Sequence, residues 1–99
     1  MARYEIFQSP DGGGFLLDVQ SNFLDHLDTR VVVPLYPMDK VPTAVKRLHP
    51  VFVIDGTTYL LATPLLAAVP SSMLGDPKGS LYHHHDDIVA ALDMLFQGF

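Results

Sequence analysis

Val51-Phe52-Val53-Ile54-Asp55-Gly56-Thr57-Thr58-Tyr59-Leu60-Leu61-Ala62 is the clearest local signal in the chain. Two runs rich in β-branched and aromatic residues flank an Asp-Gly pair. That pair favours a two-residue type I′ turn, because both central residues take positive φ. The stretch therefore predicts a tight antiparallel hairpin with strands over residues 51–54 and 57–62. Toward the N-terminus, residues 30–35 contain Val31-Val32-Val33, a run that suits a buried strand better than a helix. Residues 4–8 and 15–20 read as two more strands joined by a Gly-rich loop, with Ser9-Pro10-Asp11-Gly12 as the turn after the first. Within residues 15–20 only Asp18 and Gln20 break the apolar character. Pro34, Pro37 and Pro42 interrupt the segment between the triple valine and the hairpin, leaving room for a short helical turn over residues 43–48. On the C-terminal side, residues 65–69 read as a short strand ended by Pro70, and residues 75–79 as a loop.

The last segment changes period. Asp86 and Asp87 sit where an N-cap and first helical turn favour carboxylates. Ile88, Ala91, Leu92 and Leu95 then recur at i, i+3, i+4 and i+7, one apolar helical stripe, with Phe96 beside it and Gly98 as terminator. About five short strands and one helix predict a mostly β (α+β) fold, a small SH3-like barrel or bent antiparallel sheet with a C-terminal α-helix.

Ninety-nine residues make one domain, and 48% apolar residues can supply its core. So small a domain is marginally stable alone, and oligomerisation is a common remedy. With no cysteine there is neither a disulfide framework nor a thiolate zinc site, which fits a reducing cytoplasm. The N-terminus lacks the apolar run of a signal peptide, and no stretch approaches the roughly 18 apolar residues of a membrane span. A net charge of −5, with only six scattered Lys and Arg, argues against a nucleic-acid binder. A local basic groove at Lys40, Lys46 and Arg47 is the exception to weigh, and three loop cations are more often simply solvated.

No stretch of the chain carries a recognisable catalytic signature. His83-His84-His85 are adjacent and share no helical face, whereas metal ligands come at i, i+4 or across elements, so a surface loop or the approach to a helix is the better reading. Asp25, His26 and Asp28, near Ser21, resemble pieces of a triad, but a triad needs mutual orientation that proximity in sequence does not supply. A solvated turn accounts for them. No phosphate loop, dinucleotide fingerprint or zinc-hydrolase helix is present. A protein that binds partners without catalysis, metal or cofactor is expected. Its working surface lies in residues 86–99, especially Phe96, Gln97, Gly98 and Phe99, with Phe23-Leu24 in the polar loop 21–28 as a second candidate.

These features resemble the CcdB family of toxins. Phe15-Leu16-Leu17-Asp18-Val19-Gln20-Ser21 and then Arg30-Val31-Val32-Val33-Pro34-Leu35 carry the likeness. So do Leu48-His49-Pro50-Val51, Ala68-Val69-Pro70, Asp87-Ile88 and Met94-Leu95-Phe96 with Gly98, in order along nearly the whole chain. The resemblance implies a single toxin domain over residues 1–99, assembled as a homodimer in the bacterial cytoplasm. It implies a gyrase poison that binds the DNA gyrase A subunit, traps the cleaved gyrase–DNA complex, and is neutralised by a disordered antitoxin segment. Direct nucleic-acid binding by the toxin alone is not expected, nor is a membrane partner. The family's gyrase contacts fall on positions matching Phe23, Leu24, Asp93, Phe96, Gln97, Gly98 and Phe99. Gln97 stands where the well-known toxins carry a Trp, and Asp93 where they carry an Asn. Losing an aromatic anchor costs about 2–4 kcal/mol of binding. A drifted homologue with weak or no poisoning is therefore the alternative. A ribonuclease toxin on the same barrel, which would need a basic groove with an acid–base pair and would draw on Arg30 or Lys46, and a structural dimeric module are the remaining readings.

Overall fold

Asp55 and Gly56 take φ of 51° and 81°, the two positive angles that a type I′ turn requires. They join Val51–Ile54 and Thr57–Leu61 in the predicted register, with Ile54 opposite Thr57. The computed structural model describes residues 2–38 and 45–99. In chain order the strands are β1 (Glu5–Gln8), β2 (Phe15–Asp18), β3 (Thr29–Pro37), β4 (Val51–Ile54), β5 (Thr57–Leu61), β6 (Ala67–Pro70) and β7 (Pro77–Ser80), and the chain ends in helix α1 (His85–Gln97). All described pairings are antiparallel, in the order β4-β5-β3-β2-β1-β7, with β6 also on β3. Among the described residues β4 and β7 do not meet, so the curled sheet is an open half-barrel.

β3 runs two residues past the predicted end at Leu35, through both Pro34 and Pro37. Its residues 29–32 pair with β6 and residues 35–37 with β5. Pro34 falls at the changeover between these neighbours, where a missing N–H interrupts no ladder, and its carbonyl still accepts from the Ala62 N–H at 2.8 Å. The strand expected over residues 65–69 is displaced. Thr63–Leu65 form a 3₁₀ turn instead, and the strand shifts to include Pro70, whose position on β6 faces the β3 residue Thr29.

The larger correction is β7. Residues 75–79 read as a loop, yet Pro77–Ser80 pair with β1. This is an edge strand exposed along its whole length, so it carries no apolar alternation, and Pro at its first position is tolerated there. The predicted turn over residues 43–48 lies partly outside the described residues, as does Lys40 of the basic groove. From Val45 onward, the His49 N–H donates to the Val45 carbonyl at 2.7 Å, closing one turn.

Both sheet faces are covered. One packs Ile6, Leu17, Val33, Leu35, Phe52 and Leu61 against Ile88 of the helix, with Leu92 at its margin. The other gathers Phe7, Leu16, Val32 and Leu74. Consecutive valines thus serve opposite cores, which is why the triple valine has no polar alternation. Each such buried side chain contributes about 1.5–3 kcal/mol. On α1, Ile88 and Ala91 are fully buried, whereas Leu95, expected on the core face, is only half-buried.

Asp86 and Asp87 occupy the first turn of α1 as expected, but neither is the N-cap. That place is His84, which makes no side-chain cap bond and ends a 3₁₀ turn over Tyr82–His84. The histidine run leads into the helix. His84 packs against Phe52 with ring centroids 4.7 Å apart and ring planes tilted by 49°, and the His85 Nδ1 shares a hydrogen bond with the Tyr4 hydroxyl. Among the described residues no His, Asp or Glu cluster is arranged to hold a metal, and no helix is long and apolar enough to cross a membrane.

Candidate partner-binding surface

Two apolar patches stand out from this frame. The first is the loop between β2 and β3, where Asn22–Leu24 form a 3₁₀ turn started by Ser21, whose Oγ accepts the Phe23 N–H. This turn pushes Phe23 outward until 92% of it is exposed, with Leu24 at 43%. Residues 25–28 around it are exposed too, so Asp25, His26 and Asp28 form the expected solvated turn and no triad.

The second patch is the end of α1. Phe96 is 68% and Phe99 69% exposed, so the tail is not folded back into the core. Gly98, at φ 81°, ends the helix in the left-handed region and donates its N–H to the Met94 carbonyl at 3.1 Å. The Gln97 Nε2 donates to Asp93 Oδ1 at 3.3 Å, one turn back, so these two polar members lean on each other. Asp93, Phe96, Gln97, Gly98 and Phe99 are therefore brought together. Phe23 and Leu24 form a separate patch, and among the described residues no hydrogen bond or ring contact joins the two.

Beneath the loop lies a group of residues whose joint role is not apparent from sequence. Asp18, Gln20 and Arg30 are all buried. The Arg30 Nε donates to Asp18 Oδ2 at 2.8 Å, and Nη2 lies 2.7 Å from the same oxygen, within ion-pair range but off the hydrogen-bond direction. Burial pushes the Asp18 carboxyl above its ordinary pKa, while the Gln20 N–H and the Arg30 guanidinium pull it back. The Gln20 N–H donates to Asp18 Oδ1 at 3.0 Å. A signal for this group exists, since two polar residues inside an apolar strand need partners once buried. Arg30 is 1% exposed and committed to Asp18, which counts against it as a nuclease residue.

The described cations that remain near one another are Lys46 and Arg47. A cleft of about 460 Å³ is lined by Met38, Lys46, His49, Pro50, Val51, Leu60 and Asp87, and Arg47 borders the neighbouring hollow. Its His49 Nδ1 already accepts the Val45 N–H at 3.0 Å.

The family model described as CcdB protein matches residues 3–98. A solved structure described as an endoribonuclease in complex with its cognate antitoxin, from a mycobacterial species, matches with a TM-score of 0.77 and 17% sequence identity. The match covers 96% of this chain and 93% of that one, and at such low identity it shows a shared fold. The chain belongs to the CcdB family, as the sequence resemblance implied.

Proposed function

On the premise of CcdB family membership, we propose that this chain is a gyrase-directed toxin. It acts as a homodimer, binds the DNA gyrase A subunit without catalysing a reaction, and is neutralised by a cognate antitoxin in the cytoplasm. The observation that carries the reading is the exposure of Phe23, Phe96 and Phe99 at the positions matching the family's gyrase contacts. Large rigid aromatics in water are costly to the free protein and are the side chains that dominate interface hot spots.

Gln97 sets the strength of this activity. Its amide is tied to Asp93 and presents far less apolar area than the family's Trp. Binding weaker by about 30- to 1000-fold is expected, with Phe99 offsetting part of the loss. Expression without antitoxin, together with titration of pure protein onto a gyrase A fragment, tests the reading. Growth inhibition and binding are expected. Normal growth with no binding sinks it. Regained potency in Gln97→Trp identifies a drifted toxin.

A ribonuclease reading has one observation in its favour, the endoribonuclease of the same fold. Lys46, His49 and Asp87 share a cleft where its chemistry could sit. Against it stand the acidic balance of the chain and the burial of Arg30. RNA cleavage by pure protein, abolished by Lys46→Ala, would favour it over gyrase binding.

A further inference from the structure

We infer that Gln20 is a positioning residue that clamps the loop carrying Phe23, so that this aromatic meets its partner in one geometry. The inference rests on the gyrase reading for its partner but not for its structural content. Gln20 lies just past β2, almost fully buried, and both ends of its side-chain amide are used. Its Oε1 accepts the Val31 N–H of β3 at 3.0 Å, and its Nε2 donates to the Leu24 carbonyl at 2.9 Å. One amide thus ties the central strand to the tip of the exposed turn.

The amide has only one usable orientation. Flipped, it would set Nε2 against the Val31 N–H and Oε1 against the Leu24 carbonyl, donor on donor and acceptor on acceptor. The base of the clamp is fixed in turn, because the Gln20 N–H is held by Asp18 and Asp18 by Arg30. Three further ties hold the loop. The Arg3 N–H donates to Asn22 Oδ1 at 2.9 Å, the Phe23 N–H donates to Ser21 Oγ at 3.2 Å, and the Ser71 N–H donates to the Asp28 carbonyl at 2.7 Å. The Leu24 carbonyl, next to the exposed ring, also accepts the Leu27 N–H at 3.1 Å from within the loop, and Gln20 is what ties that carbonyl to the sheet.

Neither apolar nor aromatic contact holds Phe23 itself at 92% exposure, so its direction in space is set by the backbone below it. A side chain pre-set in its bound direction binds more tightly, because less freedom is lost on association. Gln20 is therefore expected to affect affinity only through the turn that carries Phe23 and Leu24.

Two variants test this. Gln20→Met keeps length and burial but loses both arms, and Gln20→Glu keeps the Val31 arm while placing an oxygen against the Leu24 carbonyl. Amide hydrogen exchange on the intact protein reads the clamp without a partner. The N–H groups of Leu24, Asp25 and Leu27, bonded to the Ser21, Asn22 and Leu24 carbonyls, are expected to exchange about tenfold faster in both variants, with α1 and β3 unchanged except for the Val31 N–H, which loses its acceptor in Gln20→Met. Unchanged loop exchange, or an equal rise throughout the chain, overturns the inference. Titration onto the gyrase A fragment gives the second readout. Gln20→Met is expected to weaken binding about tenfold, and to weaken it no further in a Phe23→Ala, Leu24→Ala background. An equal loss in both backgrounds overturns the positioning role. If the unaltered protein fails to bind gyrase, the proposed function falls while the exchange result still decides the clamp.

Discussion

Phe23 and Phe99 both face water, yet the backbone beneath each is held in different ways. The Phe23 loop is anchored by hydrogen bonds to residues far away in sequence, including Arg3, Val31 and Ser71, and by a buried ion pair at its base. The tail depends on its own helix, through the Gly98 N–H to Met94 and the Gln97 amide to Asp93. One patch is thus built into the fold and the other is appended to it. Changes under the loop should disturb stability and binding together, whereas changes in the tail should alter binding with little cost to the fold.

The strongest way to break that contrast is Asp18→Ala. It leaves the Arg30 guanidinium buried and unpaired, and a loss of about 3–5 kcal/mol is expected in urea unfolding. Next is Gln97→Trp at the exposed tail, expected to tighten binding to a gyrase A fragment by about 2–4 kcal/mol with the urea midpoint nearly unmoved. Phe23→Ala should cost about 2 kcal/mol of that binding, while stability changes by no more than about 0.5 kcal/mol because the ring packs on nothing. The smallest effect belongs to Gly98→Ala. A Cβ at φ 81° strains the helix end by about 1 kcal/mol, read as a small drop in melting temperature and fraying of the last turn. If Asp18→Ala proved neutral, or Gln97→Trp unfolded the chain, the division into built-in and appended patches would fail.

The range of the forces involved decides how much of this is legible in the sequence. The Asp55-Gly56 hairpin can be read because its determinant is two adjacent residues with positive φ. The helix can be read because its stripe repeats locally, and Gly98 marks its end. β7 cannot, since an exposed edge strand has no apolar face and is defined by its pairing with β1 alone. The second core is hidden in the triple valine, whose two faces look alike until something covers each of them. Phe96–Phe99 and Phe23-Leu24 can be picked out as bulky apolar residues in a tail and a polar loop, with Asp93 added by the family resemblance, but their exposure is not deducible, because phenylalanine is equally at home in a core. The Gln20 clamp is invisible for the opposite reason. Asp18 and Gln20 announce that they need partners, yet Arg30, Val31 and Leu24 become those partners only when the strands are laid side by side.

The central claim is that the exposed aromatics are the gyrase-binding surface, and calorimetric titration onto a purified gyrase A fragment tests it most directly. The unaltered protein should bind, and a Phe23→Ala, Phe96→Ala, Phe99→Ala variant with a urea midpoint close to the parent should lose at least about 100-fold in affinity. No binding by the unaltered protein, or equal affinity in the variant, would contradict the account.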